Sequence, residues 1–232
     1  MYNEYGDSMK KEIIIGTFNI QNNIKEDVNN KTEKIVDFIN KYNIDFLGLQ
    51  EVRKEYEDNL IKGNYNVYGN YRFKNLRLLK NINESVKIIS KEPIKNTSTV
   101  YLSKFLFFPR IMTTVETDNF IFINVHLEFW SNYFRKKELN NLYKYICSKN
   151  NKDIILVGDF NTDYNQKDFL NFINNLKKLN INLVNNEEIT HKNKIIDFIF
   201  VSNNYEILDI LVPKELNDIS DHNPILVKIK KN

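Results

Sequence analysis

The sequence predicts an α/β domain in which two mixed β-sheets pack face to face and helices cover the outside. Helix-like segments lie between some strand-like segments, but the two do not alternate regularly, which disfavours a simple doubly wound parallel sheet. Eight short segments rich in Ile, Val and Phe have the composition of strands: 12–20, 44–50, 85–90, 111–117, 120–128, 153–160, 195–202 and 223–230.

Three segments carry apolar residues on one helical face, namely 30–42, 131–149 and 165–179, and about four helices are expected in all. In the first, Asn30 and Glu33 have capping-box spacing, which predicts a helix that begins at Asn30. Ser131 is the predicted N-cap of the second.

The chain of 232 residues has scattered Gly and Pro and no repeat, which predicts a flexible leader over 1–10 and one domain over 11–232. No apolar run is long enough to span a membrane, and no signal peptide is recognisable, so a cytoplasmic monomer is expected. The single cysteine, Cys147, excludes an intrachain disulfide and a cysteine-based zinc site. A net charge of +3 permits an anionic substrate without identifying nucleic acid.

Polar residues stand repeatedly at or near the ends of the predicted strands. Each has a structural explanation, such as a turn, a helix cap or a satisfied core histidine. Burying several carboxylates together costs several kcal/mol apiece unless each is paired or binds a metal, so one Mg²⁺ or Mn²⁺ site explains the set more economically. The residues are Asn19, Glu51, His126, Asp159, Asn161, Asp197, Asp221 and His222.

Six short motifs occur in a recognisable order between residues 12 and 230: "FNI", "LQEV", "NVHLE", "GDFN", "IDFIFVS" and "SDHNPI". In this order they resemble the endonuclease/exonuclease/phosphatase family, the DNase I-like metal-dependent phosphoesterases. The resemblance implies a four-layer α/β/β/α sandwich. It also implies hydrolysis of a phosphate ester with the help of Mg²⁺ or Mn²⁺.

The resemblance assigns roles to the residues of these motifs. Glu51 is implied as the principal metal ligand, with Asp221 beside the metal and Asn19 supporting the metal site and the phosphate. Asp159 and Asn161 are implied to position the attacking water and a phosphate oxygen.

The same resemblance assigns the histidines. Asp197 is implied to orient His222, and Glu84 is implied to partner His126, the histidine of the deoxyribonuclease, sphingomyelinase and 5-phosphatase branches. Either His222 or Asp159 is expected to deprotonate the water, and His126 either to protonate the leaving oxygen or to stabilise the phosphorane-like state.

Three further residues are less tightly tied to the motifs. Arg53 of "QEVR" and Thr190 are expected to contact the substrate. His191 is interpreted as a bystander in a polar loop, and the basic Lys194 is shifted by one position from the family pattern.

The expected function is a nuclease acting on DNA or RNA, with nucleic acid as the favoured partner. The alternatives are a phosphatase or phospholipase acting on inositol phosphates or sphingomyelin, and an inert binding module. Aromatic segments at 101–110 and 127–134 are interpreted as core and loop aromatics, in preference to a rim that contacts lipid or stacks on bases. The number of metal ions is left open.

Overall fold

The computed structural model describes residues 12–22, 27–63, 65–72, 84–103, 109–149, 152–185 and 187–232. The expected leader over 1–10 and residues 104–108 of the first aromatic segment lie outside the described residues. No helix in the described ranges is long and apolar enough to cross a membrane.

The described residues form twelve strands and four α-helices. The strands are β1 (Glu12–Asn19), β2 (Phe46–Val52), β3 (Asn66–Tyr68), β4 (Ser85–Ser90), β5 (Asn96–Tyr101), β6 (Ile111–Glu116), β7 (Phe120–His126), β8 (Asp153–Asp159), β9 (Ile181–Leu183), β10 (Asp197–Ser202), β11 (Tyr205–Leu211) and β12 (Ile225–Lys231). The helices are α1 (Val28–Lys41), α2 (Lys54–Lys62), α3 (Asn132–Cys147) and α4 (Lys167–Lys177).

The strands form two six-stranded sheets, ordered β11-β12-β1-β2-β4-β3 and β5-β6-β7-β8-β10-β9. Each sheet contains one parallel pair, β1 with β2 and β7 with β8, whereas the other pairs are antiparallel. Both sheets are therefore mixed, as the sequence predicts.

Three apolar layers hold the sheets and helices together. One contains residues of α1, α2 and the first sheet, one contains residues of α3, α4 and the second sheet, and the third lies between the sheets. This arrangement is the four-layer α/β/β/α sandwich of the prediction. Each helix buries an apolar stripe against one sheet, which is the way that such layers are stabilised.

A buried amide pair links the two sheets. Asn124 of β7 donates from Nδ2 to the carbonyl oxygens of Leu49 (3.0 Å) and Lys87 (2.7 Å), and its Oδ1 accepts from Gln50 Nε2 at 2.6 Å. A Cβ on Gly48 would lie 2.7 Å from the Asn124 side chain, so only glycine allows this approach. The network fixes how one sheet sits on the other.

The helix starts show one confirmed and one wrong prediction. Ser131 caps α3, since its Oγ accepts from Phe134 N. The helix predicted to begin at Asn30 begins earlier, because extended Asp27 accepts hydrogen bonds from the backbone amides of Asn29 and Asn30. An aspartate with two amides in reach is a sufficient N-cap.

All eight predicted strands form, and four further strands do not correspond to any predicted segment. Two of these, β3 and β9, have only three residues each. The other two, β5 and β11, are mostly exposed edge strands. β5 lacks the apolar run that marks a buried strand, whereas β11 carries Ile207, Leu208, Ile210 and Leu211 but leaves them exposed at the edge of its sheet.

Candidate active site

Three predicted site residues lie side by side at one end of the second sheet. Asp159 of β8 pairs in register with His126 of β7 and with Asp197 of β10. All three are buried. Strand register alone therefore places two carboxylates and an imidazole in one row.

Asp159 is at the centre of this row. Its Oδ2 accepts from Asn19 Nδ2 at 2.9 Å, and its Oδ1 accepts from the backbone amide of Asn161 at 2.8 Å. The same Oδ2 lies 3.7 Å from His126 Nε2 and 3.9 Å from His222 Nε2. The carboxylate thus sits between two imidazoles.

His222 is held by Asp197, as the sequence predicts, with 2.9 Å between its Nδ1 and Asp197 Oδ2. Burial disfavours the charged imidazolium, but the charge and hydrogen bond of Asp197 outweigh it and raise the pKa of His222 to about 10. Burial, together with the charge of Asp197, raises the pKa of Asp159 to about 7. His222 therefore places positive charge beside the Asp159 carboxyl group, whose pKa lies near neutral pH.

Glu51 and Asn19 approach Asp159 from the first sheet. Asn19 Nδ2 bridges the two carboxylates, since it also donates to Glu51 Oε1 at 3.2 Å. Glu51 Oε2 accepts from Asn22 N at 2.7 Å. Glu51 has φ of 62° at a register shift between Leu49 and Val52, so a β-bulge interrupts the strand at this carboxylate.

His191, which the sequence suggests to be a bystander, lies in the site. Its Nε2 is 3.0 Å from Asp221 Oδ2, and its ring stacks on His222 with 4.4 Å between centroids and 26° between planes. Burial raises the pKa of Asp221, but the hydrogen bond from His191 and the charge of His222 lower it overall. The backbone of His191 pairs with that of Lys194 across a turn and with that of His222 in a short β-bridge. These pairings bring His191 into the site, and the local sequence gives no sign of them.

Glu84 does not form the expected contact with His126. It pairs instead with the buried guanidinium of Arg72 at 3.2 Å, and it accepts from Asn22 Nδ2 at 2.9 Å. His126 Nδ1 is buried without a hydrogen-bond partner among the described residues. Burial and then the charges of Arg110 and Arg72 hold the pKa of His126 well below its usual value.

The two expected substrate contacts outside the motifs do not line the cavity. Arg53 precedes α2, is buried, and donates from Nη2 to the hydroxyl of Tyr56 at 3.2 Å. Thr190 is fully buried, and its Oγ1 accepts from the amides of Ile196 and Asp197. Both side chains are held by residues near them in the chain, and the expectation that Arg53 and Thr190 contact substrate stays a prediction.

The site opens into a cavity of about 740 Å³. Sequence reasoning missed two of its buried cations, Arg72 and Arg110. Arg110 directly precedes β6, and its Nε donates to Glu128 Oε2 at 3.5 Å. The proximity of Arg110 to a strand end was the only local signal, and a lone arginine at a strand end is ordinarily a surface residue. The lining also includes Asn19, Glu51, Glu84, His126, Phe129, Trp130, Asp159, Asn161, His191, Asp221 and His222.

The sequence profile of the endonuclease/exonuclease/phosphatase family matches residues 16–222. The chain belongs to this family. The match spans the motifs that carry the row of acidic and imidazole side chains, and family members are hydrolytic phosphoesterases of DNase I-like fold.

Solved structures of the family superpose on nearly the whole chain. An endonuclease/exonuclease/phosphatase from Bacteroides vulgatus is 19% identical, with a TM-score of 0.82 over 96% of this chain and 100% of that one. The mannosyl-6-phosphatase of Bacteroides thetaiotaomicron is 18% identical, with a TM-score of 0.77 over 94% and 99%.

The D. rerio TDP2 complexed with a single-strand DNA product is 14% identical, with a TM-score of 0.73 over 94% and 98%. A search of the curated proteins returned no significant match. Similarities at these identities show the shared fold.

Two groups of acidic and histidine side chains in the described residues are close enough to hold a metal ion. One is His191, Asp221 and His222, and the other is Asp159, Asp197 and His222. The predicted ligand Glu51 belongs to neither group, although it lines the same cavity. Both groups combine carboxylate oxygens with an imidazole nitrogen, and members of the family generally depend on a divalent metal.

Proposed function

We propose that this family member hydrolyses phosphodiester bonds, with nucleic acid as the favoured substrate and Mg²⁺ or Mn²⁺ as cofactor. The observation that carries the proposal is the convergence of Asp159, His222 and Asn19 from two sheets on one cavity. Arg72 and Arg110 add buried positive charge to its lining, which favours an anionic substrate.

The donor set fits a divalent cation. Glu51, Asn19 and Asp221 would hold the ion, since all three line the cavity with oxygen-bearing side chains, although Glu51 lies outside both compact groups of acidic and histidine side chains. Negative charges lie close together in this cavity. Burial raises the pKa of Glu84, and the charge of Glu51 raises it further. When bound, the ion supplies positive charge that stabilises the charge developing on a phosphoryl oxygen.

Asp159 is the group that we propose accepts the proton of the attacking water. Its Oδ2 faces the cavity between His126 and His222, and Asn19 and the amide of Asn161 fix its orientation. A base with a pKa near the working pH is the most effective proton acceptor. Asn161 itself is held by donation from its Nδ2 to Leu127 O at 2.9 Å.

The two histidines take different parts in this proposal. His222, paired with Asp197, carries positive charge and would stabilise the phosphoryl group or protonate the leaving oxygen. His126 is neutral in its buried setting, so it would donate a hydrogen bond and not a proton. Of the two roles expected for His126, this proposal therefore keeps the stabilisation of the phosphorane-like state.

A phosphatase acting on a phosphorylated sugar is the second candidate. The mannosyl-6-phosphatase superposes on this chain over most of its length, and the same acid and imidazole groups would serve a monoester. The structure of TDP2, which contains a single-strand DNA product, supports the proposal of a nucleic-acid substrate.

The test is a metal-dependence screen on chelator-stripped protein. Mg²⁺ or Mn²⁺ would be added with single-stranded DNA, RNA, mannose 6-phosphate, an inositol polyphosphate or sphingomyelin. We expect metal-dependent cleavage of nucleic acid that falls at least 100-fold in Glu51→Gln. Glu55→Gln, an exposed glutamate four residues further along the chain, is the matched control and retains activity.

Two outcomes would change the proposal. Phosphate release from the sugar or inositol substrate, with nucleic acid untouched, would favour the phosphatase. Metal-independent turnover, or full activity in Glu51→Gln, would overturn the metal assignment.

A further inference from the structure

Two aromatic side chains stand exposed at the mouth of the cavity. Trp130 is 82% exposed and Phe129 is 57% exposed, and both line the cavity. Their rings contact edge to face, with 5.4 Å between centroids and 69° between planes. Tryptophan is usually well buried, so a pair of exposed rings at a cavity mouth calls for a binding partner.

Buried polar groups hold the segment that carries these rings. The carboxylate of Glu138 accepts from the amide of Glu128 at 2.7 Å, and Arg135 Nη1 donates to the carbonyl oxygen of Glu128, also at 2.7 Å. Glu128 Oε1 in turn accepts from Trp130 N at 2.9 Å. The backbone beneath the rings is therefore fixed from both sides, which lowers the entropy lost when a ligand binds them.

A buried cation lies directly beside the aromatic pair. The guanidinium carbon of Arg110 is 5.6 Å from the Phe129 ring centroid, and Arg110 also contacts Glu128. Arg72 lines the same cavity. A ring-bearing ligand that also carries phosphate would match this combination of aromatic faces and positive charge.

We propose that Phe129 and Trp130 form a stacking edge for an unpaired base of a single-stranded nucleic acid whose phosphate enters the cavity beside Arg110. The inference rests on the proposed phosphodiesterase function and adds the strandedness of its substrate. Stacking on aromatic side chains needs an exposed base face, which a base inside a duplex does not offer. The cavity of about 740 Å³ lies within the range that encloses small ligands, which suits a single nucleotide unit.

The chain provides its own probe, because Trp130 is its only tryptophan. Intrinsic tryptophan fluorescence would be followed in the full-length protein, with chelator present to prevent turnover. The ligands are a single-stranded oligonucleotide, the matching duplex and an abasic single strand of equal length and charge, at fixed salt. We expect saturable quenching by the base-bearing single strand and much weaker binding of the other two.

Variants would be compared by the anisotropy of a labelled oligonucleotide, since Trp130→Ala removes the fluorophore. We expect Trp130→Ala to weaken binding of the single strand about 5- to 100-fold, and Trp130→Phe to restore part of the loss. Tyr133→Ala is the matched control, because Tyr133 is 62% exposed nearby but does not line the cavity. It should bind as the unaltered protein does.

Equal binding of the abasic strand, or unchanged binding in Trp130→Ala, would overturn the stacking edge. A shift of Trp130 emission by anionic phospholipid vesicles, with no response to the single strand, would replace it with a membrane contact. Hydrolysis of a base-free phosphodiester by the unaltered protein tests the proposed function separately, and Tyr133→Ala, outside the cavity, should leave it unchanged. If the unaltered protein does not hydrolyse that substrate, the proposed function is wrong. The binding experiments in chelator would still show whether the stacking edge exists.

Discussion

Asp159 and Asp197 are direct cross-strand partners on β8 and β10, and each is only 1% exposed. Like charges placed directly opposite each other on neighbouring strands destabilise a sheet. His222 contacts Asp197 and lies near Asp159, so one imidazole faces both carboxylates. The sheet therefore holds an electrostatically unfavourable pair, which is typical of a site shaped for activity at the expense of stability.

Replacing one carboxylate of this pair should stabilise the metal-free protein. We expect Asp159→Asn to raise the free energy of unfolding by about 1–3 kcal/mol at pH 8, because a buried like charge is removed. Hydrolysis should fall at least 100-fold. Urea denaturation in chelator and the activity screen measure the two effects. Asp153→Asn, at the opposite end of β8, is the control and should give no such gain. A lower free energy of unfolding in Asp159→Asn would contradict the prediction.

The stability of the metal-free protein should depend on pH. The pKa of Asp159 rises from 3.8 to about 7 on folding, so the folded state holds this proton more tightly than the unfolded state. The free energy of unfolding should therefore fall as pH rises from about 4 to 7, by up to a few kcal/mol.

His222 extends the same trend to higher pH. Its pKa rises from 6.5 to about 10 on folding, so its contribution is complete below pH 6.5 and is lost as pH rises through 10. Denaturation in chelator at a series of pH values measures both effects. Asp159→Asn should flatten the lower range, and a curve that keeps its slope in that variant would refute the assignment.

Glu84 should stabilise the fold through its ion pair with Arg72, and it should have little influence on His126. Glu84→Gln leaves the buried Arg72 without its 3.2 Å partner, so we expect a loss of about 3 kcal/mol in the free energy of unfolding. The ring-nitrogen chemical shifts of His126 should change little. Arg72→Met combined with Glu84→Gln should recover part of the stability. Large shift changes at His126 in the single variant would restore the partnership expected from sequence.

His191 should support the metal affinity that we propose for Asp221. It contacts Asp221 at 3.0 Å and stacks on His222, and loss of such a supporting contact typically costs 10- to 100-fold in metal affinity. We expect His191→Ala to raise the Mg²⁺ concentration for half-maximal activity about tenfold. His191→Gln keeps a donor and should restore part of the affinity. Identical metal titrations for the unaltered protein and His191→Ala would show that His191 plays no part.

The amide network between the sheets should be a large source of stability. Asn124→Ala removes the partner of Gln50 and of two backbone carbonyl groups and leaves a small cavity, so we expect a loss of about 3 kcal/mol or more. Thermal unfolding measures it. Asn182→Ala, at an exposed position, should lie within about 0.5 kcal/mol of the unaltered protein. Equal losses in the two variants would argue against the network.

Much of the fold follows from local patterns in the chain. Buried strands such as β1, β8 and β10 are short apolar runs, and their composition predicts them whatever surrounds them. The polar residues that interrupt or end these runs were recognisable for the same reason. Asp159 and Asp197 stand out because a carboxylate in an apolar strand is costly without a partner or an ion.

The tertiary structure alone decided which of these side chains meet. Glu84 reaches Arg72 in place of His126, a turn folds His191 onto Asp221, and Arg110 lies beside Phe129 at the cavity mouth. Each contact joins residues from different elements, and local sequence carries no record of such distances. The edge strand β5 was missed for a related reason, since hydrogen bonds to β6 hold it and not an apolar run of its own. The sequence by itself determined the buried strands and the chemical groups at their ends. Packing across the two sheets determined the partners of those groups, because burial forces each charge to pair with whatever opposite charge the fold brings within reach.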